Sequence, residues 1–385
     1  MTSIATGRAP TFVEFFAGGG MARAGLEGWT CLLANDVSAT KAAVYRENWG
    51  DDHLIEGDVR DVRPHLAIVP GLTPRVDLAW ASFPCQDLSL AGRGAGLDGQ
   101  RSSALIDFFH AVDGLAALRR KPAVIVLENV LGALTSNDGA DFRRVVGWLR
   151  DLGYRVGAVT LDAADFVPQS RPRVFFIALD ARVAPPASLV DGTPDARVPQ
   201  VLIDQVDDLA EGLREGWLWW RLATPAGRSA TLGDIVERDA PEWDEPERSR
   251  AALAMMSEAT RAKLDAVRAE VAKTGRTQVG AFFRRTRVEG GRKIQHVEIR
   301  FDGLAGCLRT AAGGSSVQRL LFVERDGLRT RAVTPREAAR LMGLPETYRL
   351  PQSRSQALDL LGDGVAVPVV AHLAQSLLAL LAAAA

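Results

Sequence analysis

Short apolar runs alternate with amphipathic stretches along the first 180 residues. "TFVEFFAG" (11–18), "CLLAND" (31–36), "VDLAWASF" (76–83), "AVIVLENV" (123–130) and "RVFFIAL" (173–179) have strand length and are nearly all apolar. Between them, "SALIDFFHAVDGLAALRR" and "DFRRVVGWLRDLGY" repeat their apolar positions at helical spacing. Strands that are apolar on both sides lie in a sheet covered on both faces. The pattern predicts an α/β, doubly wound, mostly parallel sheet.

The texture changes near residue 181. "ARVAPPASLVDGTPDARVPQ" is proline-rich and reads as a linker. Residues 200–275 read as charged helices with Trp217, Trp219 and Trp220 among them, and 276–330 as short strands and turns. The three tryptophans read as packing rather than as base-stacking platforms. Thr334, Pro335 and Glu337 then give a helix start, with cap, first-position proline and capping-box acid. The closing run "AVPVVAHLAQSLLALLAAAA" is about as long as a bilayer span. His372, Gln375 and Ser376 interrupt it, so it reads as a closing helix on the core; a tail anchor is the competing reading.

A length of 385 residues is ample for a large core, and 47% hydrophobic with 24% charged residues is ordinary for a globular chain. The net charge of -1 gives no overall attraction to nucleic acid, so a basic binding face has to be local. The stretch 275–300 supplies one, with seven Lys or Arg against two Glu; a solvated strand pair would read the same way. Three cysteines and an opening without a signal-peptide core favour a reducing cytoplasm.

Candidate chemistry lies at the ends of the apolar strands. Gly18, Gly19 and Gly20 let the chain turn sharply and approach a ligand. Asp36 ends the next strand, where a carboxylate can accept ribose hydroxyls. Arg23 occupies the third glycine position of the dinucleotide pattern, which disfavours a dinucleotide. A tight turn with no ligand would look similar. Cys85 follows "VDLAWASF", in a crevice position, with a loop of glycines and Arg93 and Arg101 behind it. A thiol there is a candidate nucleophile once ionised, whereas Cys31 and Cys307 read as small buried residues. Glu128 ends "VIVLE" in the same crevice and can serve as an acid or hydrogen-bond partner. Gln169, Arg171 and Arg173 precede the next strand; alternation puts the two arginines on one face, suited to an oxygen or a phosphate.

"FVEFFAGGG", "ASFPCQDLSLAG", "VLENV", "PQSRPRVFFIAL", "RAVTPREAARLMGLP" and "LGDGVAVPVV" occur in an order that resembles the DNA (cytosine-5)-methyltransferases, over nearly the whole chain. The resemblance implies a Rossmann-like S-adenosylmethionine-dependent fold. It places a catalytic cofactor-binding domain at 1–180, a target-recognition domain at 181–332, and a C-terminal segment at 333–385 that returns to the first. By resemblance Cys85 attacks carbon 6 of a flipped cytosine. Glu128 contacts ring nitrogen 3 and the amine, Arg173 holds the ring oxygen and Arg171 assists. The methyl donor is S-adenosylmethionine, near Phe16, Gly18, Gly20, Asp36, Asp58, Pro84 and Asp363. DNA contacts fall to Ser89 and Arg101 on a mobile loop, to Gln169, to Arg284, Arg285 and Arg287 in the basic run, and to Thr310. No metal site is implied. The partner is double-stranded DNA, met by a monomer, with a separate restriction endonuclease as a further expectation. Asp363 departs from the family's usual Gly-Asn pair and adds negative charge at the cofactor end.

Three rival readings remain open on the sequence alone. A tRNA substrate would use the same chemistry, but the long variable region favours DNA. A silent DNA-binding relative is disfavoured by intact Cys85, Glu128 and Arg173. A nicotinamide oxidoreductase leaves Pro-Cys-Gln and Q-x-R-x-R unexplained.

Overall fold

The computed structural model describes residues 8–66, 75–83, 103–237, 239, 242–310 and 317–385. They form two compact units: 1–161 with 172–225 and 369–385, and 162–171 with 226–368. The division by contacts therefore runs at 225/226, beyond the composition change at 181.

The first unit is built on seven strands: β1 (Thr11–Phe15), β2 (Thr30–Asp36), β3 (Leu54–Glu56), β4 (Leu78–Ser82), β5 (Val124–Val130), β6 (Tyr154–Asp162) and β7 (Pro172–Asp180). Their order is β3-β2-β1-β4-β5-β7-β6. β1 pairs in parallel with β2 and β4, as β4 does with β5; β7 runs antiparallel to β5. The doubly wound sheet expected from the apolar runs is present. All five residues of β1 are buried, as a strand covered on both faces requires.

Amphipathic helices supply the cover. In Ala140–Asp151 the buried Phe142, Val145, Val146 and Leu149 fall on one stripe. In Ser103–Ala117, Leu105, Phe108, Val112 and Leu115 do the same, and Phe108 meets Phe15 of β1 edge-to-face at 5.2 Å. The tryptophans also pack here. Trp217 lies 5.8 Å from Phe142, and Trp220 Nε1 donates to the Ile177 carbonyl at 3.1 Å. They sit beside a small ribbon, β8 (Val190–Asp191) with β9 (Trp219–Trp220). Gly157 of β6 permits this approach, since a Cβ there would collide with the Leu218 carbonyl.

The stretch 354–384 is helical, long and apolar enough to cross a membrane by length and composition, yet 56% of its apolar window is buried inside the protein. Val369, Val370, Leu373, Leu377, Leu378 and Leu381 are among its buried side chains in the first unit.

The second unit carries an antiparallel sheet of β10 (Gln278–Glu289), β11 (Arg292–Arg300), β12 (Arg319–Glu324) and β13 (Gly327–Ala332), in the order β11-β10-β12-β13. The helices Pro246–Ala254 and Glu258–Thr274 cover one face, with Ala252, Leu264 and Val271 on Phe282, Val297, Leu321 and Val323. The helix Pro335–Leu341 begins with the expected capping box: Thr334 and Glu337 cap each other's backbone N–H. Glu337 also accepts from Arg331 at 2.7 and 2.5 Å, both side chains fully buried.

Losing one member of such a pair strands the other charge away from water. Glu337→Gln is expected to destabilise the protein by about 3–5 kcal/mol in denaturant unfolding. A loss below about 1 kcal/mol would mean that water solvates Arg331 after all.

Candidate active site

Strand order reverses in the first unit between β1 and β4, and ligands of open α/β sheets bind where such a reversal opens a crevice at the strands' carboxyl ends. The chain leaving β1 does so through Phe16, held at φ 56°, and Gly18 at φ 56° and Gly20 at φ 78°. Positive φ is unfavourable for a bulky side chain such as Phe16, and strain of this kind gathers at ligand sites. At Gly18 a Cβ would face open space, whereas at Gly20 it would collide with the Trp49 indole. Asp36 clamps the turn: its carboxylate accepts from the Gly18 N–H and the Ser38 N–H, each at 2.8 Å. Lone pairs remain on both oxygens for a further donor. Asp58 follows β3, but its carboxylate engages Arg60 Nη2 at 2.8 Å and caps Val59–Asp61.

Beneath this turn lies a polar cluster that sequence reasoning missed. Glu14 of β1 is fully buried, and burial pushes its carboxyl up to about 8, against the opposing pull of Arg23. Arg23 donates to the Tyr45 hydroxyl at 2.8 Å and contacts His53 Nε2. Its guanidinium also lies over the rings of Tyr45 and Trp49, 5.6 and 5.0 Å from their centroids. Trp49 Nε1 donates to the Gly19 carbonyl at 3.0 Å, so the cluster holds the glycine turn from below. The signal was available as a glutamate inside an otherwise apolar strand, "FVEFF". Burial also pushes the Cys31 thiol up to about 12, so it stays protonated, but Cys31 and Cys307 are half-buried rather than fully buried as expected.

At the same edge of the sheet, Glu128 near the end of β5 meets Arg173 near the start of β7. Because β7 is antiparallel, its beginning lies beside the end of β5, and Val130 pairs with Arg173. Arg173 Nε is 2.9 Å from Glu128 Oε1, with both side chains largely buried. Ser82, the last residue of β4, pairs with Glu128. Asn129 braces the connection by donating to the Phe83 carbonyl at 3.3 Å. Cys85 follows Phe83 by two residues; Pro84, Cys85, Ser89 and Arg101 lie outside the described residues.

In the second unit, Arg171 does not share Arg173's role. It precedes β7, so strand alternation does not apply to it. Its buried guanidinium donates to the carbonyls of Leu308 at 3.0 Å, Gly362 at 2.7 Å and Gly364 at 2.6 Å, and to Cys307 Sγ at 3.2 Å. One side chain thus ties the Gln-Ser-Arg, Cys-Leu-Arg and Gly-Asp-Gly stretches together. Gly362 packs on the backbone of Arg309 and Thr310, and a Cβ there would lie 2.9 Å from both the Arg309 carbonyl carbon and the Thr310 nitrogen. Asp363, between the two clamped glycines, is exposed. Gln169 is a correction to the expected DNA contact. It is fully buried, and its amide accepts from Leu308 N at 2.9 Å and donates to the Leu341 carbonyl at 2.8 Å, so its polar atoms are turned inward. Arg284, Arg285 and Arg287 are exposed on β10, and Thr310 is partly buried.

A profile of the C-5 cytosine-specific DNA methylases matches residues 10–379. The Type II methyltransferase M.NlaX of Neisseria lactamica is 24% identical over 96% of this chain and 97% of its own length. The Type II methyltransferase M.HhaI of Haemophilus parahaemolyticus is 24% identical over 95% of this chain and 93% of its own. Among solved structures, Entamoeba histolytica methyltransferase EhMeth superposes with a TM-score of 0.60 at 15% identity, covering 95% of this chain and 97% of that one. The S. pombe Dnmt2 methyltransferase superposes with a TM-score of 0.55 at 18% identity, over 95% and 97%.

The cluster under the turn gives two expected outcomes. Glu14 takes up a proton on folding between its ordinary value of 4.5 and about 8. More protons bound in the folded state mean that its contribution to stability falls as pH rises through that window. Glu14→Gln is expected to flatten the melting temperature against pH over that range, and an unchanged slope would contradict this. Gly20→Ala is expected to weaken binding of an adenosine-containing cofactor at least tenfold in calorimetry, because the new methyl displaces Trp49 from the turn; unchanged affinity would contradict it.

Proposed function

We propose a mechanism from one premise: the chain belongs to the C-5 cytosine-specific DNA methylase family. It is an S-adenosylmethionine-dependent DNA (cytosine-5)-methyltransferase. Its residues divide that reaction between activating the base, attacking it and holding the methyl donor.

The observation that carries the assignment is the Glu128–Arg173 pair at the carboxyl edge of β5. A cytosine presents an acceptor and an amine on one edge and a ring oxygen beside them. A carboxyl group that can donate or accept, paired with a guanidinium that only donates, matches that edge. Glu128 binds ring nitrogen 3 and the exocyclic amine, and Arg173 holds the ring oxygen. Together they draw electron density from the ring, which eases attack at carbon 6. Cys85, as thiolate, makes that attack, and the resulting enamine carries the nucleophilic character to carbon 5. After transfer, loss of the carbon 5 proton lets the Cys85 sulfur leave and restores aromaticity.

The residues at the switch point fit an adenosine-containing donor. Gly18 has open space where a side chain would stand, Asp36 faces it with lone pairs to accept ribose hydroxyls, and Phe16 is held in a strained conformation beside it. When bound, S-adenosylmethionine supplies an electrophilic methyl group from its sulfonium. Phe16, Gly18, Gly20 and Asp36 hold it, with Asp58, Pro84 and Asp363 as further contacts. Arg171 is a positioning residue, fixing the Gly-Asp-Gly stretch through its carbonyl contacts.

Duplex DNA must give up its target base for these groups to reach it, at a cost of a few kcal/mol. Ser89 and Arg101, which follow Cys85 in the sequence, and Thr310 are assigned to DNA. The target-recognition region is assigned within 181–332, between the catalytic domain at 1–180 and the closing segment at 333–385. We further propose a site-specific cytoplasmic enzyme acting as a monomer, with a separate cognate endonuclease; the relatives' Type II methyltransferase names support the methyltransferase part alone.

Bisulfite sequencing of a plasmid from cells lacking other cytosine methylation tests the reading: expression should protect cytosines in one repeated context. Cys85→Ala should abolish protection while duplex binding persists. Glu128→Gln should slow transfer by about 10²–10⁴-fold with cofactor binding preserved. Full protection by the Cys85 variant would remove the covalent route.

A further inference from the structure

The hairpin of β10 and β11 outruns its sheet. β10 pairs with β12 only over Gln278–Phe282, whereas its pairing with β11 continues from Ala281 to Glu289. Beyond Arg284, whose partner Val297 is buried and bridged to Met256, the two strands form a free ribbon. Five residues at about 3.4 Å each make it roughly 17 Å long. Residues 284–288 and 292–295 are exposed, so both faces of the ribbon are open to solvent. A two-stranded ribbon gains little stability by itself in water, and a chain that keeps one exposes it at a cost.

The two faces differ in chemistry. The register pairs Arg285 with His296 and Arg287 with Ile294 on one face, next to Phe283 with Glu298. There Glu298 takes up both arginines: Arg287 forms an ion pair with it, and Arg285 Nη1 lies 3.6 Å from its carboxylate. The opposite face pairs Arg284 with Val297, Thr286 with Gln295, and Val288 with Lys293. Its exposed side chains are two cations, a hydroxyl, an amide and an isopropyl group, with no carboxylate. At the ribbon's root Glu242, Asp244 and Glu245 line a cavity of about 610 Å³ with Arg284 and Trp243. Asp244 there is already engaged by Arg319 and by Thr330.

We propose that the ribbon 284–295 enters the major groove of duplex DNA with this acid-free face, Thr286 and Gln295 toward base edges and Arg284 and Lys293 toward the flanking phosphates. The inference rests on the DNA methyltransferase reading and deepens it by naming the element that selects the sequence. The major groove, about 12 Å wide, admits a two-stranded β-ribbon. Thr286 and Gln295 stand directly opposite each other, which sets a hydroxyl beside an amide about 5 Å apart at Cβ. An amide can bond two atoms of one adenine edge, and a hydroxyl or its methyl can meet a neighbouring base. Val288, 69% exposed near the tip, supplies an apolar contact. This revises the expectation that Arg285 and Arg287 contact DNA: the face carrying them turns away, because both are engaged by Glu298, whose carboxylate lowers that face's charge.

The test uses the full chain and two readouts. Anisotropy titrations of a 30-base-pair duplex over a range of KCl give the slope of log affinity against log salt. Each phosphate contact contributes about 0.9 to that slope. The Arg284→Gln, Lys293→Gln double variant should flatten it by nearly two, and Arg285→Gln, Arg287→Gln should leave it almost unchanged. Bisulfite sequencing of DNA methylated by Gln295→Ala should show one base position of the recognised sequence relaxed by about tenfold to a hundredfold. All five positions are exposed, so a circular dichroism melt should match the wild type. If slope and context are unchanged while the wild type binds and methylates duplex, the ribbon assignment fails and the methyltransferase reading stands. If the Arg285, Arg287 variant carries the slope instead, the face assignment is overturned. If the variants alter only self-association, the ribbon is a protein contact. A wild type that neither binds nor methylates duplex overturns both readings.

Discussion

Reversal of strand order between β1 and β4 is the constraint on which the first unit depends. It opens the sheet at one edge, and three chain segments deliver their chemistry there. β1 ends in the glycine turn, β4 ends two residues before Pro84, and β5 carries Glu128 near its end. The antiparallel β7 is what makes the set complete. A parallel strand in that place would present its beginning at the opposite edge, and Arg173 would not reach Glu128. Topology thus decides which side chains can share one substrate, before any side chain is chosen.

Buried polar groups around this arrangement hold backbone. Trp49 grips the glycine turn from below with Arg23 over its ring, and Asp36 grips it from the end of β2 while keeping lone pairs for the cofactor. In the second unit Arg171 and Gln169 bond main-chain groups of distant segments, and each buried polar atom so used needs its partner in place. Such residues set geometry with little tolerance, since a lost partner leaves a buried donor or acceptor unsatisfied.

Much of this was legible in the sequence where the signal is local. Apolar runs marked the strands because covered strands have no polar face. Thr334, Pro335 and Glu337 marked a helix start because capping is settled within four residues. Glu128, Arg173 and Asp36 were legible as polar residues at strand ends. Gln169 and Arg171 were not, because their partners lie more than 130 residues away and no local pattern encodes a buried carbonyl. The basic run was legible as charge, but its division into a face whose arginines are engaged by Glu298 and an acid-free face needed the register of the hairpin. Phe16 was placed at the cofactor only by resemblance; its left-handed backbone came only with the turn beyond it.

The central claim is covalent catalysis by Cys85, and a mechanism-based trap tests it most directly. Duplex DNA carrying 5-fluorocytosine at the target position blocks the final loss of the carbon 5 proton, so the thiol adduct cannot resolve. Incubation with the wild-type protein and S-adenosylmethionine, followed by peptide mass spectrometry, should find the modified base on the peptide containing Cys85. An adduct on Cys31 or Cys307, or normal methylation of ordinary DNA with no adduct on the fluorinated duplex, would contradict the account.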